Sequence, residues 1–460
     1  MIKTLINYKE ENFEYNIMKK IYMNSEFTDF GIIDFSPGKI LYAHNKLTKD
    51  IFDNFIHEAQ RYFFTNRENI QIAFINPVIA KSFDINSKIS STEFILSKVY
   101  RFHTFLNELY KYSLLEFKNM KFYTKNLELE SFLNNNLVKG NIKILGNSKA
   151  PLRFITIYPY LGIPKQDYKN NNIITNSHFF LMEYEDLDSK YSLLGQPFGG
   201  LVINKNVIFP YLYNRPALFI KNNLDSYVEN IEIKNMKIII DNTIYQNKKN
   251  CIIYTREDNN ITPKQNGMDF IIINNKIIGY KINGETSIPD GGYVIHINKK
   301  IDITNLEIKY LHDEELLFSL QVGPSLIENK KVKYSVDNSF LIQKNSLRLP
   351  PTKFETIWKN SLSSRLAIGI KNKKIILLFA NGTNSDTYLK AIDSKGFSFF
   401  ELAQVLKERK IENAISLDGG GSMQIYINGG KITKHADRRK LPYVEYQRPI
   451  PGYIKFFCNI

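Results

Sequence analysis

The segment Ile415-Ser416-Leu417-Asp418-Gly419-Gly420-Gly421-Ser422 joins an apolar run to a carboxylate, three glycines and a hydroxyl. These residue types in this order suit a site that handles phosphate. Successive glycines cost backbone entropy and are tolerated where the chain bends sharply or approaches a ligand closely. Consecutive N–H groups in such a bend can form an anion-binding concavity. Asp418 stands at its lip, in reach of a reacting atom.

The flanking sequence supplies elements that would hold this turn. Ser398-Phe399-Phe400-Glu401 reads as a capping box, so a helix is expected to start at Ser398. Leu402, Val405 and Leu406 give it one apolar stripe. The apolar run Lys374 to Ala380 precedes it and Ala414 to Leu417 follows. A strand–helix–strand crossover usually makes parallel neighbours, so Asp418 is expected at the carboxyl end of a parallel strand. Patatin-like lipases carry a similar glycine turn, but near the start of the domain and with a later G-x-S-x-G elbow, which no segment after Gly421 forms. Actin-like and sugar kinases pair such a turn with an earlier strand-and-turn motif that this chain lacks.

The chain has 460 residues, enough for two or three domains, and its 43% hydrophobic and 13% aromatic content can build a large core. Two cysteines, Cys251 and Cys458, exclude a disulfide scaffold and a Cys-rich zinc site. The opening residues show no signal-peptide h-region, and no apolar run approaches membrane-spanning length. A cytoplasmic protein without a membrane span is the expectation. The net charge of +15 is spread along the chain rather than clustered, which reads as a compositional bias with a lean toward anionic ligands.

Residues 1 to 145 read as a separate accessory domain of mixed α/β type. Asp50 to Asn66, Thr92 to Asn119 and Leu127 to Leu137 have helix-like spacing, interleaved with strand-like runs at Phe30 to Ile33 and Ile70 to Ile75. His57-Glu58-Ala59-Gln60-Arg61 misses a zinc motif because Arg61 occupies the second ligand position. Residues 146 to 460 read as the catalytic domain, of α+β class: a mixed β-sheet with hairpins and packed helices. Hairpin signals lie at 200–209, 270–278 and 366–379. Asp186-Leu187-Asp188 is not an EF-hand loop, because Tyr191 stands where glycine is required.

An ordered set of segments from about 150 to 458 resembles the phosphodiester glycosidase domain family. The pieces are Asn176-Ser177-His178-Phe179-Phe180, Gln196 to Ile203, Ile252 to Thr255, Ile288 to Val294, Gly323-Pro324, Arg365 to Gly369, Asp418 to Ser422, and Arg448-Pro449-Ile450. The chain departs from the family pattern at His178, Leu366, Met423 and Gln447. The resemblance implies hydrolysis of a sugar-1-phosphodiester on the sugar side, giving free sugar and a phosphomonoester. It implies catalytic roles for Asp418 and Asn176, with His178 a further acid–base candidate. Arg365, Gly419, Gly420, Gly421, Ser422 and Arg448 would bind substrate and phosphate. Phosphate is already a good leaving group, so the carboxylate would chiefly serve oxocarbenium character or activate water. Asp437, Arg438 and Arg439 read as a surface loop at the site mouth.

No cofactor is expected, and the resemblance leaves metal dependence unknown. The expected partner is a small-molecule or glycan phosphodiester, with an intracellular nucleotide-linked sugar as one candidate. Two other readings stand beside it: a non-catalytic binder of such ligands docked to a protein partner by its N-terminal domain, and a nucleic-acid-associated protein suggested by charge alone.

Overall fold

The structure is a computed structural model that describes residues 2–10, 12–45, 71–75, 152–157, 160–165, 172–182, 189, 191, 193–273, 275–301, 308–311, 315–333, 361–383, 388–438 and 445–458. The expected helices at 50–66, 92–119 and 127–137, and both rejected metal motifs, lie outside these residues.

The α+β expectation is overturned. Among the described residues there is one α-helix, Phe399–Glu408, and everything else regular is strand or short 3₁₀ turn. The physical reason lies in the hairpins. Asn204 and Lys205, Asp241 and Asn242, Asn329 and Lys330, and Asn372 and Lys373 all sit at positive φ. Two successive left-handed residues make the tight turn whose twist matches antiparallel strands. Asn, Asp and Lys pairs therefore bend the chain repeatedly into two-residue hairpins, leaving little length for helices.

The largest sheet has eight strands in the order Ile2–Glu10, Phe13–Ile21, Phe27–Phe35, Lys374–Ala380, Arg365–Lys371, Asn413–Ser416, Ser325–Glu328, Lys331–Val332. All its pairings are antiparallel. The expected crossover exists, but its two strands are not neighbours. Arg365–Lys371 lies between Lys374–Ala380 and Asn413–Ser416 and pairs with both. Hence the two run parallel to one another one strand apart, and Asp418 still falls beyond the carboxyl end of its strand.

The central strands are apolar on both faces because both faces are covered. Ala367, Ile376, Leu378 and Ala414 pack with Leu402, Ala403, Val405 and Leu406 of the helix. On the other face Leu366, Ile368, Ile370, Leu377, Phe379 and Ile415 join a larger core with Ile454 and Phe456. The helix begins as the sequence requires: Ser398 accepts from the Glu401 N–H, and the Glu401 side chain reaches back to the Ser398 N–H.

Ile454 and Phe456 belong to a second, five-stranded sheet in the order Gly430–Lys431, Ile425–Ile427, Asn172–Asn176, Gly452–Cys458, Pro37–His44. Phe35 and Phe456 meet across the two sheets with ring centroids 5.1 Å apart. The N-terminal strands are part of this frame. Phe27–Phe35 pairs with Lys374–Ala380, and Pro37–His44 pairs with Gly452–Cys458. Residues 27–44 therefore complete the C-terminal sheets: Phe30 and Ile32 pack on the helix side, and Ile33, Phe35 and Ile40 in the larger core. The expected boundary near 145 lies outside the described residues. Other hairpins build further sheets around 201–231 and 252–297.

Candidate functional site

The glycine turn carries the chain from the first sheet to the second. The Leu417 N–H donates to Leu366 O at 2.8 Å, and the Gly420 N–H donates to Ser364 O at 2.9 Å. The turn then forms a short 3₁₀ segment, Gly420–Ser422, and enters Ile425–Ile427 beside Asn172–Asn176. Asn176 locks this passage. Its Nδ2 donates to the Asp418 carbonyl at 2.7 Å, and its Oδ1 accepts from the Gln424 N–H at 3.0 Å. Asp418 is thus pinned between the ends of two sheets.

Each glycine is required for a different reason. A Cβ on Gly419 would lie 2.5 Å from Ser364 O. Gly420 has φ +55° with open space around it, so it serves backbone conformation. A Cβ on Gly421 would collide with the Asp437 carboxylate, 1.9 Å from Oδ2. The turn differs from an open anion cradle. The Gly420 N–H is bonded to Ser364 O, the Ser422 N–H to Gly419 O, and the Gly419 N–H favours the charged form of Asp418.

Asp418 is 4% exposed, and its Oδ2 has no hydrogen-bond partner among the described residues. Burial pushes its carboxyl up to about 7. The Ser422 hydroxyl, the Arg448 guanidinium and the Gly419 N–H pull it down, and the Asp437 charge raises it further. Such a carboxyl changes charge close to neutrality, the range in which one group can give and take a proton.

Arg448 approaches from the last segment before Gly452–Cys458. Its Nε and Nη2 donate to Asp437 Oδ2 and Oδ1 at 2.8 and 3.0 Å. Its Nη1 donates to Ser422 Oγ at 3.4 Å and meets the Met182 sulfur at 3.2 Å. The short antiparallel pair Asp437–Arg438 and Glu445–Tyr446 brings these partners together. Gln424 fixes the Arg448 backbone by donating from Nε2 to its carbonyl at 2.7 Å. Gln447 donates to Gln424 Oε1 at 2.8 Å and to the Tyr426 hydroxyl.

Asn176, Asp418, Gly419 to Ser422 and Arg448 are thereby adjacent. The Arg365 main chain also lies against the turn, its Cα 3.6 Å from where a Cβ on Gly419 would stand, but its side-chain contacts among the described residues lead away from Asp418. Its Nε donates to Phe397 O at 3.1 Å, its Nη2 donates to Ser361 O at 2.9 Å, and its guanidinium lies 4.0 Å from the Phe399 ring centroid. These groups lie at the start of the helix. His178 is buried between aromatic rings, with Nδ1 3.0 Å from Ser177 Oγ and Nε2 3.3 Å from Gly200 O. Burial lowers its pKa to about 4, against the raising effect of the Gly200 carbonyl. Asp437 and Gln424 are the participants that sequence reasoning missed. Asp437 reads as part of a surface loop from sequence alone because its partner Arg448 lies 11 residues further along the chain. Gln424 had no signal beyond its position just after the turn.

Among the described residues no group of three or more His, Cys, Asp or Glu could hold a metal ion, and no helix is long and apolar enough to cross a membrane.

The family model for the phosphodiester glycosidase domain matches residues 238–457. Over this stretch the chain is similar to that family. The stretch includes Asp418, the glycine turn, Asp437 and Arg448. A mouse N-acetylglucosamine-1-phosphodiester alpha-N-acetylglucosaminidase is 34% identical over 71 residues, which are 15% of this chain and 12% of that protein. Among solved structures, a hypothetical protein from Synechocystis matches with 12% identity and a TM-score of 0.42, covering all of this chain and 64% of that one. The catalytic domain of zebrafish N-acetylglucosamine-1-phosphodiester alpha-N-acetylglucosaminidase, auto-inhibited by its pro-peptide, matches with 12% identity and a TM-score of 0.36, covering 100% of this chain and 88% of that one. The chain thus spans only an eighth of the curated mouse relative and under two thirds of the Synechocystis structure.

Proposed function

We propose that the protein hydrolyses a glycosyl phosphodiester, releasing a free sugar and a phosphomonoester. The observation that carries this reading is the buried Asp418 carboxyl, with one oxygen unpartnered among the described residues, set beside Ser422 and Arg448 inside the stretch that matches the phosphodiester glycosidase family model. The Arg448 guanidinium suits an anionic phosphate oxygen. Asp418, titrating near 7, suits a proton transfer to or from the attacking water or the departing oxygen. In either role the step balances in the same way: the anomeric carbon–oxygen bond breaks, the phosphate side keeps the electron pair, and water supplies the new hydroxyl. Asn176 acts one step back, holding the Asp418 main chain.

A nucleotide-linked sugar is the substrate class we favour within this reading, since it offers the required linkage and matches the lean toward anionic ligands. The test is a screen of nucleotide-sugars and simple glycosyl phosphodiesters for release of both products. Tight binding of these compounds without any turnover would replace catalysis by a binding role. Salt-sensitive binding of DNA or RNA with no effect of these compounds would favour the nucleic-acid reading.

A further inference from the structure

Asp437 lay outside the predicted machinery, yet it is built into it. Its side chain is 14% exposed, and both oxygens are taken by the Arg448 fork. The carboxylate rests so closely on Gly421 that no larger residue fits there. A solvated surface aspartate needs no glycine opposite it.

We propose that Asp437 is a positioning residue that fixes the Arg448 guanidinium and offsets its charge, so that Arg448 presents one edge to Ser422 without neutralising Asp418. This rests on the phosphodiester hydrolase reading and deepens it. The geometry explains why a fork is needed. Arginine satisfies a carboxylate through two parallel N–H bonds, and two of its nitrogens are spent on Asp437. Among the described residues, Nη1 is the nitrogen that meets Ser422 and Met182. Without Asp437, the same cation could turn toward Asp418, on which its charge already bears and whose Oδ2 has no partner among the described residues. That pairing would hold Asp418 ionised and spend on the protein the charge meant for phosphate.

The other groups around Asp418 leave this balance to Asp437 and Arg448. On the Asn172–Asn176 side it meets the Asn176 amide and the Ser177 carbonyl, both uncharged. His178, next in sequence, is kept neutral by burial. On the turn itself the neighbours are the Gly419 N–H and the Ser422 hydroxyl. Among the described residues the charged groups bearing on Asp418 are Arg448, which lowers its pKa, and Asp437, which raises it.

The test is direct titration of the Asp418 carboxyl in the full chain by carbon-detected NMR of labelled aspartate, with Asp418→Asn identifying the resonance. This needs no turnover, so it is independent of whether a substrate has been found. In Asp437→Asn the Asp418 midpoint should move acidward by about one pH unit or more, as expected for an uncompensated cation nearby. In Arg448→Gln it should move the opposite way by a similar amount, because Asp437 is left unbalanced. Asp437→Glu should restore most of the wild-type midpoint. An unchanged midpoint in Asp437→Asn, or shifts of the same sign in both variants, would overturn the proposal. If Asp437→Asn does not fold, the Arg448→Gln titration decides: an alkaline shift supports it, and no shift or an acid shift overturns it. Normal NMR behaviour combined with no turnover of any glycosyl phosphodiester would instead sink the hydrolase reading and leave the positioning role standing.

Discussion

Asp418→Asn should make the protein more stable at alkaline pH while removing its activity. The carboxyl sits at about 7 against an ordinary value of 3.8 because burial disfavours its charge. In the window between those values the folded protein holds a proton that the unfolded chain has lost, so stability falls as pH rises from about 4 to about 7 and is level above. The gap corresponds to roughly 4 kcal/mol at most for a fully buried group. Asparagine carries no charge to bury, but it weakens the bonds from Ser422 and Gly419, so the net gain should be about 1–3 kcal/mol. Burial of His178 acts in the opposite sense. Its stabilising contribution is present above its ordinary value and is lost as pH falls toward about 4. The two slopes partly cancel in the wild type, and only the difference between the wild type and Asp418→Asn isolates the carboxyl. Chemical denaturation at about pH 8 and about pH 4 measures it: the variant should be more stable at the higher pH and near parity at the lower. Equal differences at both values, or a less stable variant at the higher pH, would refute the reasoning.

Gly421→Ala should cost roughly 1–3 kcal/mol and displace Asp437 from Arg448, since the new methyl must push the carboxylate aside. Gly420→Ala meets open space and should cost only the left-handed backbone penalty of roughly 1–2 kcal/mol; thermal unfolding of both compares steric with conformational loss. Arg365→Lys should lower the melting temperature more than it alters KM, because its bonds to Phe397 O and Ser361 O brace the start of the helix, whereas Arg448→Lys should raise KM the more. Nitrogen-15 NMR should find His178 neutral down to about pH 5, with the proton on Nε2 donated to Gly200 O and no limb in the activity profile from this ring.

The parts of the fold set by local chemistry were legible. The Ser398–Glu401 cap, the helix stripe and the hairpins at Asn204-Lys205 and Asn372-Lys373 follow from side chains within a few residues of one another. What could not be read was long-range pairing. Phe27–Phe35 reads as the same strand whether it pairs within an N-terminal unit or with Lys374–Ala380, so nothing local reveals its place in the larger sheet. The insertion of Arg365–Lys371 between two parallel strands was hidden for the same reason. At the site, Asp418 was legible because three glycines demanded an explanation. The cause of the third glycine was not, since Asp437 reaches it only through the hairpin that also presents Arg448. Arg365 and Arg448 looked alike as strand-flanking arginines, and only their partners separate them.

In the hydrolysis we propose, Asp418 performs the proton transfer. The most direct test is kcat of the wild type and Asp418→Asn on the best substrate of the nucleotide-sugar and glycosyl phosphodiester screen, with sugar and phosphomonoester both quantified. The wild type should release the two products in equimolar amounts, and kcat should fall by about 100-fold or more in the variant with ground-state binding largely kept. A variant that retains kcat within about tenfold of the wild type would contradict this role.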